Sequence, residues 1–472
     1  MKQKLCNSID DVLRACEFKD GMTISFHHHL RNGDEVLNLV LERVSALGFK
    51  DLHIAASSIF PVHEPLIGHI KNGVVSRITA PYIAGPVAAA ISSGKLDVEV
   101  RMQTHGGRAF AISRGSLKID IAFVGAPASD CRGNCNGTQG KSAFGVMGYP
   151  LVDVRWAHKV VVITDNLVQF PAYPAEITQE QVDFVVIVKR IGNPNGIKSG
   201  STRSATDPTG VKIAEDAVEV ISASGLLVNG FSFQTGAGGA SLATAQILFH
   251  QMQRRKIRGR FASGGITGFL VDMLQAELFE TLLDVQCFDL KAVQSYALDA
   301  RHQGMSAEKY ASPGSRGSIV DDLDVVVLGA AEVDIDFNVN VTTGSDGVIL
   351  GGSGGHADTA DGAKLTIVTT RLNAGGYAKV VQNVNTITTP GSSIDVVVTD
   401  QGIAVNPNRK DLAGLLQGHN INLKDIQSLA EQSLAASSRN SIVNEDEERV
   451  VACVEDRYGQ TIDVVRARTG AL

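Results

Sequence analysis

Three consecutive histidines, His27, His28 and His29, stand just before Arg31 and Asn32 and form the densest group of side chains that could do chemistry. Imidazole and guanidinium groups donate hydrogen bonds to carboxylate oxygens. Adjacent side chains of an extended segment point to opposite faces, and no carboxylate accompanies the three rings, so a metal site is not expected. The group therefore favours binding of an anionic substrate, with structural hydrogen bonding as the alternative.

A glycine-rich segment, GFSFQTGAGGASLATAQ at residues 230–246, could supply the other half of such a site. Its apolar start predicts a buried strand, and apolar residues spaced three and four apart predict a helix over Ala240–Gln253. Gly236, Gly238 and Gly239 between them are expected to take positive φ, and their NH groups to hold a phosphate, carboxylate or thioester oxygen. The alternative is a tight turn without a ligand, because the segment lacks the third glycine and the acid of a dinucleotide fingerprint.

Both segments predict the same order of elements: a short strand, a polar turn and a helix. SFHHHLRNGD resembles SFQTGAGGAS, and the first copy leads into a helix predicted over Asp34–Leu47. Runs of Val and Ile, such as KVVVIT from Lys159, are typical of parallel strands covered on both faces. The pattern predicts an α/β protein with two domains, residues 1–200 and 201–472. Each is expected to be an open, mostly parallel sheet with helices on both faces, with a ligand between them.

Two other segments mark the expected limits of these domains. Asn193–Gly210 is rich in Gly, Ser, Thr and Pro and is predicted to be the linker. Residues 449–468 alternate apolar and polar side chains about a Tyr-Gly pair, which predicts an antiparallel hairpin. We expect this hairpin at one edge of the second sheet.

The composition of the 472 residues narrows the possible functions. A formal net charge of −7 and an isoelectric point near 6.0 argue against nucleic acid as a partner. No apolar run approaches the roughly 18 residues that span a bilayer, and the first 20 residues are charged without an apolar signal core. The six cysteines are scattered, and Cys131 and Cys135 lack a second pair for zinc. We therefore expect a cytoplasmic protein with reduced thiols, no membrane segment and no metal.

Standard hydrolase, kinase and zinc-enzyme motifs are missing from the sequence, but two further histidines stand beside glycines. These are His105 in THGGR and His356 in GGSGGHAD. Ligands of open α/β sheets gather at the carboxyl ends of strands, so the glycine turns are expected to converge on one cleft. Such a cleft suits acyl transfer among anions, because NH groups and neutral side chains stabilise oxyanions.

A series of segments in one order covers nearly the whole chain. They are SFHHHLRNGD, HGGR, DIAFVGAP, FSFQTGAGGASLA, GGIT, LLDVQCFD, FNVNVTTGSDGV, GGSGGHADTA and NVNTITTPGSSIDVVVTDQGIAVNP. In these segments the sequence resembles the citrate lyase alpha chain family, whose members act as citrate CoA-transferases. The resemblance implies two CoA-transferase-like domains, with the active site in the cleft between them.

The same resemblance implies the reaction and the partners. Acetate is exchanged for citrate on a thioester whose thiol ends a CoA-like prosthetic arm, which an acyl carrier protein (the gamma subunit) presents. A beta subunit then cleaves the citryl thioester to oxaloacetate and acetyl thioester. This chain is expected to bind no cofactor of its own, to accept CoA as a surrogate for the arm, and to self-associate within a multisubunit complex.

Other CoA-transferases carry a glutamate that forms a covalent thioester. The matching region of this sequence, residues 259–265, reads GRFASGG and contains no acid. This favours direct attack of citrate on the acetyl thioester, which gives a mixed anhydride. Glu332 is the nearest later acid, so the catalytic group is left open among His28, His356 and Glu332.

The resemblance also implies three groups of binding residues. The carboxylates would be held by His27, His28, His29, Arg31, Asn32 and His105. The thioester and its arm would lie along Gly236, Gly238, Gly239, Ala240, Gly264, Gly265, Gly351, Gly352, Gly354 and Gly355. The carrier protein would dock on the basic cluster formed by Arg254, Arg255, Lys256 and Arg258. For this cluster the alternative is simple compensation of a helix dipole.

The sequence also allows three other functions. The acceptor could be citramalate, or a simple carboxylic acid handled through a glutamyl thioester. A metabolite-sensing regulator on the same fold is the non-enzyme alternative, although no partner-binding appendage is evident.

Overall fold

The computed structural model describes residues 4–198, 204–236, 238–441 and 449–468. The elements up to the predicted linker are β1 (Leu5–Cys6), α1 (Ile9–Ala15), β2 (Thr23–Phe26), α2 (Val36–Ala46), β3 (Leu52–Ala56), α3 (Leu66–Lys71), β4 (Val75–Thr79), α4 (Pro86–Ser92), β5 (Val100–Met102), α5 (His105–Ser113), β6 (Ile121–Ala126), β7 (Ala128–Ser129), β8 (Cys135–Asn136), α6 (Pro150–Trp156), β9 (Lys159–Thr164) and β10 (Phe184–Ile187).

After the linker the chain continues with α7 (Pro208–Ala223), β11 (Ser232–Thr235), α8 (Gly239–Arg255), β12 (Gly259–Ile266), α9 (Gly268–Gln275), β13 (Phe279–Cys287), α10 (Leu290–Leu298), β14 (His302–Gly304), α11 (Ala307–Ala311), β15 (Val325–Gly329), β16 (Glu332–Asp334), β17 (Val339–Asn340), α12 (His356–Gly362), β18 (Leu365–Thr369), β19 (Asn373–Ala374), β20 (Tyr377–Ala378), β21 (Val380–Val381), β22 (Val396–Thr399), β23 (Gly402–Val405), α13 (Lys410–Gly418), α14 (Ile426–Ala435), β24 (Val450–Glu455) and β25 (Thr461–Arg466).

Two large sheets organise these elements. The first has the order β1-β10-β9-β6-β2-β3-β4-β5-β24-β25, and the second β14-β13-β12-β11-β15-β18-β22-β23. Both are parallel except for the pairs β24–β25 and β22–β23. Buried apolar side chains form a large core that includes both sheets, and a smaller second core that includes residues of β15, β16, β18, β22 and α14. The predicted fold class is therefore confirmed.

The strand order reverses at the same place in both sheets. After β2 the chain builds β3, β4 and β5 on one side and then places β6 on the other; after β11 it builds β12 to β14 and then places β15 opposite. Such reversals open a crevice at the carboxyl ends of the two central strands. Each of these central strands, β2 and β11, is followed by the predicted turn and helix. The repeat of strand, turn and helix predicted from the sequence is therefore confirmed.

The helices after these two strands form because their apolar residues recur on one face. Helix α2 buries residues of its predicted stripe, and the Asp34 carboxylate accepts a hydrogen bond from the Val36 NH at 3.1 Å. Helix α8 extends the predicted range by one residue at its start and two at its end. The expected positive φ of the glycines before α8 is wrong, because Gly238 has φ 167°, which is extended backbone, and neither Gly236 nor Gly239 lies in the left-handed region.

The carboxyl-terminal hairpin is found where it was predicted, but it joins the first sheet rather than the second. β24 pairs in parallel with β5, and Glu455 accepts hydrogen bonds from Arg101 Nε at 2.7 Å and Gln103 Nε2 at 3.0 Å. Alternating side chains indicate a hairpin, but they carry no information about which open edge receives it. Residues 199–203 of the predicted linker lie outside the described residues, and the domain limits remain a prediction.

Candidate active site

A cavity of about 280 Å³ lies where the carboxyl ends of β2 and β11 face each other. It is lined by His28, Arg31, Ser58, Phe60, Tyr82, His105, Tyr149, Gln234, Thr235, Gly236, Gly265, Val285, Gln286, Phe288, Tyr310, Leu328, Gly329, Val341, Leu350, Gly351, Gly352, Ser353, Gly354, Gly355 and His356. We call it the central cavity. Of these lining residues, Arg31 alone carries a permanent charge and none carries a carboxylate. The cavity is therefore built for an anion.

His28 reaches the central cavity directly after β2. Its Nδ1 lies 2.7 Å from Ser57 Oγ, and Gln286 of the second sheet donates to the His28 carbonyl at 3.0 Å. Its ring stacks on His105 at 5.8 Å and lies 4.7 Å from the Tyr149 ring. Burial, together with His105 and Arg31, holds the pKa of His28 well below its usual range. A neutral imidazole with its second nitrogen toward the cavity can donate to, or accept from, a bound acid.

The other two histidines of the triplet do not line the cavity. His27 Nε2 lies 2.9 Å from Asp153, which also binds the Arg108 guanidinium through two hydrogen bonds of 2.9 and 2.8 Å. His29 instead stacks on Phe144 at 4.6 Å. Neighbouring side chains of extended backbone diverge, so only the middle histidine enters the site. His27 and His29 support the wall behind it.

Arg31 lies on the cavity wall between two aromatic rings. Its guanidinium carbon is 5.0 Å from the centre of Phe60 and 4.9 Å from the centre of Phe288, and the residue is 5% exposed. Cation–π contacts with aromatic faces stabilise a buried guanidinium. The neighbouring Asn32 is exposed, and its side-chain oxygen accepts from the Val62 NH at 3.0 Å, outside the cavity.

His105 and His356 begin helices α5 and α12. The starts of these helices are adjacent, because the His105 NH donates to the Gly354 carbonyl at 2.7 Å. The Nδ1 atom of His105 has no hydrogen-bond partner among the described residues, and burial and Arg108 lower its pKa to about 3. His356 Nδ1 lies 2.7 Å from Thr389 Oγ1 and its Nε2 lies 3.0 Å from the Gly329 carbonyl. Burial lowers the pKa of His356 to about 4. Both rings are neutral near pH 7, and both nitrogens of His356 are engaged.

The glycines divide between two cavities. The central cavity is lined by Gly236, Gly265, Gly351, Gly352, Gly354 and Gly355. A second cavity of about 450 Å³ is lined by Gly238, Gly239 and Ala240 at the start of α8 and by Lys379. The two cavities share Gly329, Val341 and Leu350 as walls. Gly264 lines neither cavity.

Glu332 and the basic cluster stand apart from the central cavity. Glu332 lies on β16, is 1% exposed, and accepts a hydrogen bond from Asn340 Nδ2 at 3.1 Å. The cluster Arg254 to Arg258 lies at the carboxyl end of α8, whose 17 residues place it about 25 Å from the glycines at the other end. No group of His, Cys, Asp or Glu in the described ranges is arranged to hold a metal ion.

Several lining residues were not predicted from the sequence, notably Tyr149, Gln234, Gln286 and Tyr310. Gln234 stands just before the glycine turn, so its position in the motif could have identified it. The tyrosines follow no motif, and they enter the site only because the two halves of the chain pack together.

Nearly the whole chain is similar to known proteins. A family model described as citrate lyase, alpha subunit (CitF) matches residues 2–468. The citrate lyase alpha chain of Klebsiella pneumoniae is 46% identical over 465 residues, covering 98% of this chain and 91% of the relative. That of Escherichia coli K12 is 46% identical over 463 residues, covering 98% and 91%.

The chain belongs to the citrate lyase alpha subunit family. The resemblance read from the sequence is thus confirmed. A structure of the family from Streptococcus mutans, described as a complex with citrate, has a TM-score of 0.95 and 47% identity, and the match covers 99% of this chain and 92% of that one. A malonate decarboxylase alpha subunit from Acinetobacter baumannii shares the fold alone, with a TM-score of 0.69 and 13% identity over 93% of this chain and 91% of that one.

Proposed function

We propose that this chain is the citrate CoA-transferase of a citrate lyase, exchanging acetate for citrate on an acetyl thioester. The observation that carries the proposal is the central cavity, where one buried guanidinium and several neutral donors converge without a carboxylate. A citrate ion entering this cavity meets positive charge at Arg31 and hydrogen-bonding groups at His28 and His105. The Streptococcus mutans relative, described as a complex with citrate, supports the same assignment.

The lack of a carboxylate among the described lining residues supports a route without a glutamyl thioester. A carboxylate oxygen of citrate attacks the acetyl carbonyl carbon, and the C–S bond of the resulting tetrahedral intermediate breaks to release thiolate. The thiolate then attacks the citryl carbonyl of the mixed anhydride and acetate leaves. No proton is gained or lost overall, so neutral histidines are sufficient as hydrogen-bonding groups.

The second cavity is the path that we assign to the thioester arm. It runs from the start of α8 to the shared wall at Gly329, Val341 and Leu350, and Lys379 is among its lining residues. Positive charge and helix NH groups are suited to the phosphates of a CoA-like arm. The arm itself, carried by an acyl carrier subunit, is proposed as a substrate of this chain.

The partners are also proposed: an acyl carrier (gamma) subunit, a lyase (beta) subunit, and further copies of this chain. Docking of the carrier at the basic cluster requires its arm to reach about 25 Å along α8. No helix in the described part of the chain is long and apolar enough to cross a membrane. All six cysteines are free, and reduced thiols support a cytoplasmic location as a further proposal.

The purified chain should be tested with acetyl-CoA as donor and with citrate, citramalate and acetate as competing acceptors. Mass spectrometry of the products should show citryl-CoA as the main product. Citramalyl-CoA as the main product would reassign the acceptor. No exchange with any acceptor, also with acetylated carrier protein as donor, would refute the proposed function.

Acyl-CoA followed by borohydride should leave the enzyme fully active. Borohydride reduces glutamyl thioesters and so inactivates transferases that use one. Within the part of the chain that the structure describes, no carboxylate lines the central cavity. A Cβ at Gly264 would lie 2.7 Å from Gln234 Cδ, which occupies the space there. A glutamate-dependent CoA-transferase treated in parallel is the positive control. Inactivation that depends on acyl-CoA would point to a covalent route and to Glu332.

Replacing His28 by alanine should lower kcat/KM for citrate by about 10- to 100-fold, since a hydrogen bond to a charged group contributes about 1.5–3 kcal/mol. Its fold should persist, because His28 packs on the cavity wall and not within the apolar core. Steady-state kinetics with acetyl-CoA and citrate measure the effect. His250→Ala, on the exposed face of α8, is the control. Unchanged kinetics in the His28 variant would remove this residue from the site.

A further inference from the structure

A chain of three hydrogen-bonding side chains ends in the central cavity at Tyr310. Ser263 Oγ on β12 donates to Gln234 Oε1 at 2.9 Å, and Gln234 Nε2 donates to the Tyr310 hydroxyl oxygen at 2.7 Å. The three residues are 0%, 5% and 3% exposed. None of these three residues is among the site residues predicted from the histidine triplet or the glycine turn.

The direction of these bonds decides what Tyr310 can do. Its oxygen is the acceptor of the Gln234 amide, so its own proton is free to be donated elsewhere. Among the described residues, the Tyr310 oxygen makes no other hydrogen bond, and the residue lines the central cavity. The proton is therefore available to an oxygen bound in the cavity.

The surrounding backbone leaves space for this hydroxyl. A Cβ on Gly355 would lie 2.6 Å from the Tyr310 oxygen, and a Cβ on Gly264 would lie 2.7 Å from Gln234 Cδ. Gly264 has φ +96°, a conformation that other residues rarely adopt. Both glycines therefore keep room for the pair.

The phenol keeps its proton at neutral pH. Burial and the nearby Asp358 raise the pKa of Tyr310, against the opposing effects of the Gln234 hydrogen bond and Arg457. A neutral, pre-oriented donor in a buried site stabilises developing negative charge without having to reorganise.

We propose that Tyr310 is a catalytic residue that donates a hydrogen bond to the oxygen on which negative charge develops during acyl transfer, and that Ser263 and Gln234 position it. When citrate bonds to the acetyl carbon, the carbonyl oxygen becomes an oxyanion and accepts this hydrogen bond. When the C–S bond breaks, the carbonyl re-forms and the phenol retains its proton. This inference rests on the proposed transferase activity.

The test compares Tyr310→Phe with the wild type in the exchange of acetyl-CoA with citrate. Loss of one oxyanion donor should lower kcat by about 100- to 1000-fold. KM for citrate should change by less than about 3-fold, because the contact forms in the transition state and not in the bound substrate. Tyr296→Phe is the matched control: it removes the hydrogen bond that the half-buried Tyr296 hydroxyl donates to Glu176 at 3.2 Å, outside the central cavity. Its activity should stay at the wild-type level.

A double-substitution cycle tests the positioning role. Gln234→Met should lower kcat by about 10-fold alone and add little to Tyr310→Phe, since the two side chains act through one hydrogen bond. Wild-type kcat in Tyr310→Phe, or fully additive losses in the cycle, would overturn the inference. An equal loss of activity in Tyr296→Phe would also overturn it. If the wild type itself makes no acyl exchange, it is the proposed function that fails.

Discussion

Replacing Arg31 by methionine is expected to lower kcat/KM for citrate by about 100-fold or more. Arg31 is the one permanently charged residue that lines the central cavity, and it is 5% exposed. A charge-assisted hydrogen bond in a desolvated site contributes about 2–5 kcal/mol when one partner is removed, and about 1.4 kcal/mol corresponds to a tenfold change. Steady-state kinetics with acetyl-CoA as donor and citrate varied measure the loss.

Two further variants define the role of this guanidinium. Arg31→Lys should recover only part of the activity, because lysine cannot bind a carboxylate through two parallel donors or stack as a planar group. Arg114 also lies over a phenylalanine ring, 5.0 Å from the centre of Phe110, but outside the central cavity. Arg114→Met should therefore keep wild-type kinetics. If Arg31→Met retained kcat/KM within about 3-fold, citrate would have to bind elsewhere.

Replacing Asp153 by asparagine is expected to cost about 3–5 kcal/mol of the free energy of unfolding. Asp153 is 0% exposed and joins His27 to Arg108, whose guanidinium also donates to the Ala55 carbonyl at 2.8 Å. Removing its charge leaves the Arg108 cation buried without compensation. Urea unfolding at pH 7 measures the loss.

The matched control is Asp10→Asn. Asp10 also makes two hydrogen bonds of 2.7 Å to one arginine, Arg43, but that side chain is 42% exposed. An exposed pair contributes only about 0–1 kcal/mol. Adding Arg108→Met to Asp153→Asn should restore part of the stability, because it removes the uncompensated charge. Equal losses in the Asp10 and Asp153 variants would contradict the argument.

The pH dependence of the free energy of unfolding gives an independent measure of how much the Asp153 carboxylate stabilises the fold. Burial raises the pKa of this carboxyl, but Arg108 and His27 outweigh it and hold the pKa below its usual range. The stabilisation is therefore present above the unfolded pKa of about 3.9 and is lost as pH falls toward the folded pKa. The wild type should lose more stability than Asp153→Asn between about pH 5 and pH 3. If stability fell equally with pH in the wild type and in Asp153→Asn, the pKa of Asp153 would not be lowered by folding.

The elements around the site could be predicted closely because each carries its own local signal. The spacing of apolar side chains along the sequence predicts helices α2 and α8, and a run of valines predicts strand β9. Membership of the family could also be predicted, because the family's motifs occur in their usual order along nearly the whole chain. The edge that receives the terminal hairpin was not, because Glu455 meets Arg101 and Gln103 only in the folded molecule.

Within the site, residue types were predictable and their directions were not. Five positions within residues 27–32, together with His105, were assigned to carboxylate binding. The structure brings His28, Arg31 and His105 into the central cavity, while His27 and His29 support its wall. A stretch of three histidines shows that imidazoles are present. Which of them faces a ligand depends on the backbone torsions after β2.

The sequence by itself determined the α/β class, the repeated strand, turn and helix, and the family, because periodicity and motif order are local properties of the chain. Only the tertiary structure decided the composition of the site. Tyr149, Gln234 and Tyr310 meet His28 and Arg31 in one cavity because the carboxyl ends of β2 and β11, the central strands of two sheets with matching reversals in strand order, face each other. These residues are far apart in the chain, so their contacts cannot be predicted from the local sequence around any one of them.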